Sequence, residues 1–129
     1  MRFKQFLKRF FKPNDLQIFS LTLFEETRPE ISISVTISTR PDGSLEVTGQ
    51  DYGQLVNELQ GKSDYEYCLL VSPGSKEELK EKLQLEGHSV DTDYELLSWF
   101  QQHYSKNEAF SEITDLLKKL EVKHEVSFW

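Results

Sequence analysis

The run ISISVTISTR (Ile31–Arg40) sets Ile31, Ile33, Val35 and Ile37 at alternate positions, with Ser32, Ser34, Thr36 and Ser38 between them. Neighbouring side chains point to opposite faces only in an extended strand, so this run has one apolar face and one hydrated face. Such a strand needs partners on its flanks and a cover on its apolar side alone. That combination belongs to an antiparallel sheet covered on one face.

The flanking sequence supplies the partners. RPDG (Arg40–Gly43) places Pro and Gly at the second and fourth positions of a type I turn, and SLEVTG then alternates again, which makes a hairpin. Upstream, LQIFSLTLFEE (Leu16–Glu26) reads as a strand with mixed faces, so three strands form a meander. QDYGQLVNELQG admits a short helix over Leu55, Val56 and Leu59. SDYEYCLLVS (Ser63–Ser72) reads as a buried strand, closed by Pro73 and Gly74.

Beyond Gly74 the periodicity becomes helical. Ser75 with Glu78 reads as a capping box for a helix that ends at Gly87 and, with few apolar residues, lies on the surface. Asp91 or Asp93 can cap YELLSWFQQHY, whose stripe is Leu96, Leu97, Phe100 and Tyr104. Ser105 with Glu108 reads as another capping box, starting a helix that turns Phe110, Ile113, Leu116, Leu117 and Leu120 inward. These two helices are expected to pack as a pair. KHEVSFW alternates His124, Val126 and Phe128 against Glu125, Ser127 and Trp129, and so returns to the sheet as a strand.

At the other end, MRFKQFLKRFFK carries Phe3, Phe6, Leu7, Phe10 and Phe11 at helical spacing, with Lys4, Lys8 and Arg9 around them and Pro13 as a stop. The expected fold class is therefore α+β, an antiparallel sheet of about four to five strands with helices packed on one face. The chain of 129 residues reads as one domain: a basic amphipathic helix over 1–12, mainly strands over 16–72, helices over 75–120 and a strand over 123–129.

Charge narrows the partners. The first twelve residues carry +5, and the whole chain carries −7, so the remainder is at −12. A body of that sign repels phosphate backbones, and no nucleic-acid partner is expected. The segment 1–12 could dock on this acidic body, on an anionic lipid surface or on a partner, since all three accept a basic amphipathic helix. It lacks the features of a secretory leader, and Cys68 is the sole cysteine, so the cytoplasm is the expected compartment.

Catalytic motifs are missing from the sequence. There is no G-x-S-x-G, Walker loop or G-x-G-x-x-G, and His88, His103, His124 and Cys68 do not have metal-ligand spacing. No cofactor or metal is expected, and Cys68 reads as a small core residue. An enzyme of unrecognised type would need His103 or His124 in a pocket beside buried carboxylates. The local concentration of acid is Glu86, Asp91, Asp93 and Glu95. Its two readings are helix capping and a face that steers a basic protein partner.

TGQDYGQLV, SDYEYCLLV and the terminal HEVSFW resemble a pattern found in small uncharacterised bacterial proteins, some of them proposed as immunity partners of polymorphic toxins. The resemblance covers the middle of the chain and its last residues. It implies a non-enzymatic bacterial protein that works by binding another protein, and it carries over no functional residue.

Overall fold

The computed structural model describes residues 18–53 and 64–128. The stripe in residues 1–12 and the short helix expected over Leu55, Val56 and Leu59 lie outside the described residues. Five strands, β1 (Ser20–Arg28), β2 (Ile31–Thr39), β3 (Leu45–Tyr52), β4 (Asp64–Val71) and β5 (Glu125–Phe128), form one sheet. Each strand lies next to the one that precedes it in sequence, and every pairing is antiparallel. Three helices, α1 (Pro73–Leu85), α2 (Asp93–His103) and α3 (Ala109–Lys119), separate β4 from β5. The α+β class, with helices packed against the sheet, is the observed architecture.

Alternation in β2 does what its sequence dictates. Ile33, Val35 and Ile37 are buried, and Val35 and Ile37 share one cluster with Val47, Leu69, Leu83, Phe100 and Leu117, which joins sheet to helices. Ser32, Ser34, Thr36 and Ser38 face the other way and keep partial contact with solvent. At the β2–β3 turn the Gly43 amide donates to the Arg40 carbonyl at 2.9 Å, and Gly43 takes the left-handed φ of 91° that a glycine adopts without strain. The mixed faces of β1 come from a bulge: Thr22 pairs with Thr36 and Phe24 with Val35, which leaves Leu23 as the extra residue. The insertion lets Leu23 sink into the core while Phe24, its neighbour, packs against it too.

The helix starts differ from the expected ones. Ser72 caps α1 by accepting from the Ser75 amide, and Pro73 occupies the first turn, where its missing N–H costs nothing. Thr92, between the two aspartates, caps α2 and shares a full capping box with Glu95. α3 begins at Ala109 with Glu108 at the cap position and no side-chain cap, and Ser105, too far upstream to cap it, donates its hydroxyl to the Gln101 carbonyl in α2.

α1 is also less superficial than its composition suggests. Its buried positions are Lys76, Leu79, Lys80 and Leu83, an i, i+3, i+4, i+7 stripe in which two members are lysines. α2 lies over β1 and β2, and α3 over β3, so these helices rest on the sheet rather than mainly on each other. Cys68 stands on the polar outer face opposite Thr48 and Ser127, and is half-buried rather than part of the core. None of the described helices is long and apolar enough to cross a membrane.

Gly49 shows how closely the sheet is packed. A Cβ placed there would meet the Tyr67 ring at 1.8 Å, because that ring occupies the space over the glycine it pairs with on β3. The ring is held by an edge-on contact with Phe110 at 4.6 Å and by its hydroxyl, which donates to Asp51 at 3.3 Å. Gly49→Ala should therefore cost about 1–3 kcal/mol, since the ring can move only by giving up both contacts. Chemical denaturation measures this, and a variant as stable as the parent would show that the ring is not fixed.

Candidate partner-binding surfaces

The four carboxylates singled out in the sequence do different things in the structure. Asp93 is a hub: its two oxygens accept from Lys76 at 3.0 Å and Lys80 at 2.6 Å, and both lysine side chains are below a tenth exposed. Lys80 also meets Glu77 at 3.0 Å. Burial alone would raise the Asp93 pKa, but hydrogen bonds from Lys80 and Lys76 outweigh it and leave the carboxyl below its ordinary value. Burial likewise works against a charged Lys80, and its bonds to Asp93 and Glu77 reverse that and raise it. Asp93 thus fastens the start of α2 to the inner side of α1.

Glu95 is similarly committed. Its carboxylate accepts from the Thr92 amide at 2.9 Å while its own amide donates to the Thr92 hydroxyl at 3.1 Å. Glu86 and Asp91 are exposed on the α1–α2 connection, where Glu86 lies 3.9 Å from His88. Asp93 and Glu95 therefore belong chiefly to the fold, and Glu86 and Asp91 to the surface.

Turning Lys76 and Lys80 inward leaves α1 with a carboxylate-rich outer side, on which Lys82 pairs with Glu78 at 3.0 Å. Glu77, Glu78 and Glu81 are exposed there, and Leu85 at the helix end is 87% exposed. The described residues as a whole hold 20 acidic and 9 basic side chains, a net −11.

A second surface was not singled out in the sequence. Between α3 and β5 runs a groove of about 540 Å³, where Phe110, Asp115 and Lys118 face His124, Val126 and Phe128. Its inner end is aromatic: Phe128 stacks near Tyr65, and Phe110 stands on Tyr67. Val126 is 37% exposed and Phe128 57%, large values for apolar side chains on a sheet. The signal was present as the alternation of HEVSFW, but nothing in the sequence tells that the face opposite those residues is only partly covered.

The groups considered for chemistry are scattered. His88 and His103 flank Trp99, with their ring centres 6.1 Å apart, while His124 lies in the groove with its Nδ1 2.8 Å from the Val122 carbonyl oxygen. The carboxylate that shares the groove with His124, Asp115, is exposed. Burial, then Glu46, pushes the Cys68 thiol up, away from the thiolate a nucleophile requires. On the outer face, Ser34, Thr36, Thr48, Gln50 and Glu66 border a depression of about 240 Å³, and Gln50 donates to Glu66 at 3.3 Å. Comparison with protein-family models, with curated proteins and with solved structures found no match to this chain.

Proposed function

We propose that this chain is a non-enzymatic bacterial protein-binding domain, an immunity-type inhibitor of the cytoplasm that lays an acidic surface over a basic surface on its target. The observation that carries the reading is the outer side of α1. Its Lys76 and Lys80 point inward to Asp93, while Glu77, Glu78 and Glu81 stay at the surface beside the exposed Leu85, followed by Glu86 and Asp91. Such an arrangement suits association: the charge steers a basic partner, and an apolar side chain among carboxylates offers an anchor once water is excluded. The resemblance of TGQDYGQLV, SDYEYCLLV and HEVSFW to proposed immunity partners points the same way.

The test uses Glu81→Lys/Glu86→Lys, which spares Asp93 and the capping box. The full chain and this variant serve as baits in lysate of the native host, with cross-linking and mass spectrometry. The reading expects a protein with a basic surface that the parent holds less firmly as salt rises and that the folded variant does not hold. If the variant captures the same protein equally well, or if no protein depends on these charges, the acidic-face reading fails.

A further inference from the structure

The groove beside β5 differs in charge from the rest of the molecule. Residues 109–128 carry four acidic and three basic side chains, so this unit stands at −1, while the other described residues hold the remaining −10. A second copy of so acidic a chain is repelled over most of its surface. Residues 109–128 add little to that repulsion.

The sheet edge points the same way. β1, the opposite edge, is protected by its bulge at Leu23 and by Glu25, Glu26 and Arg28, devices that discourage edge pairing. β5 has neither bulge nor proline, pairs among the described residues with β4 alone, and exposes all four of its residues. Beside it, Asp115 and Lys118 lie on the same groove with opposite charge, and neither side chain has an ion-pair partner among the described residues. In a two-fold contact a residue i meets j of the other copy while j meets i, so one acid and one base on the same surface complement themselves.

From these observations we infer that β5 is a homodimer interface. Two copies pair their β5 strands antiparallel into a continuous ten-stranded sheet. Val126 and Phe128 are covered by the second copy, and Asp115 and Lys118 make reciprocal ion pairs across the two-fold axis. This interface is separate from the acidic face of α1, so one dimer presents two target-binding surfaces.

Analytical ultracentrifugation of the full chain over a range of concentrations tests the inference. The parent is expected to sediment as a dimer. Val126→Lys, at an exposed edge position, should keep the circular dichroism spectrum and weaken self-association by tenfold or more, which is about 1.4 kcal/mol or more. Asp115→Lys and Lys118→Asp should each weaken it as well, because each puts like charges together. An equimolar mixture of those two variants should regain the dimer, since every base then meets an acid, an outcome no folding defect produces. A parent that is monomeric at every concentration, a dimer indifferent to Val126→Lys, or a mixture no better than its components overturns the inference.

Discussion

Ile37→Asp is expected to unfold the protein. Ile37 has no exposed surface, is paired with Leu21 on β1 and Val47 on β3, and lies at the centre of the sheet under the helices. The substitution removes an apolar side chain worth about 1.5–3 kcal/mol of burial and puts a carboxylate into the apolar cluster that Ile37 shares with Val35, Val47 and Leu69. Together these exceed about 5 kcal/mol, most of what a domain of this size has to lose. Ser34→Asp, three residues earlier on the outer face, should cost less than about 1 kcal/mol, chiefly through its position opposite Glu25. Circular dichroism with urea denaturation separates the two. Equal tolerance of both would mean that the strand presents its other face to the helices.

Asp93→Ala should be the most damaging change among the charged residues, at about 3 kcal/mol, because it strands Lys76 and Lys80 inside the protein. Glu77 still neighbours Lys80, but its side chain is 60% exposed and holds the ammonium from the solvent side only. The same cluster predicts a pH profile. A carboxyl held below its ordinary 3.8 adds stability above that pH and loses it as the pH falls through the lower, folded value. A lysine held above 10.5 adds stability below that pH and loses it as the pH rises through the higher, folded value. The parent should thus show a plateau between these limits and an acid limb that Asp93→Ala largely lacks. Denaturation midpoints measured from neutral pH down to pH of about 3 would show this, and parallel acid limbs would exclude Asp93 as the group responsible.

This also changes how the acidic surface is best probed. Neutralising Asp91, Asp93 and Glu95 together would remove two internal ion pairs and half of a capping box, so weakened binding could reflect a weakened fold. Glu81 and Glu86 avoid that ambiguity.

What could be read in the sequence depended on whether chemistry and burial agreed residue by residue. β2 was legible because its inward residues from Ile31 to Ile37 are apolar and the residues between them carry hydroxyls, although the last inward residue, Thr39, is polar; the alternation after His124 disclosed a strand, β5, but not that all four of its residues stay exposed. The inner stripe of α1 was not legible, since half of it is lysine; those stems are covered because Asp93, distant in sequence, receives their ammonium groups. Cap positions slipped for a related reason. Ser, Thr, Asp and Glu near a helix start all suit the role, and the choice of Ser72 over Ser75, or Thr92 over Asp93, depends on backbone geometry and on which side chain has another task. The groove was not legible beyond the alternation of its strand, because the gap between α3 and β5 is a property of how two elements lean and not of either one.

The strictly sequential order of the sheet has a consequence for assembly. β1, β2 and β3 join through short turns, so little loop entropy is spent in bringing them together, and their contacts are among the most local a sheet can have. β5 is the exception: its bond to β4 closes a loop that contains all three helices. The meander can nucleate alone, whereas the last strand must wait for the helices to shorten the search, which makes it the latest element to arrive and the first whose pairing is free to open.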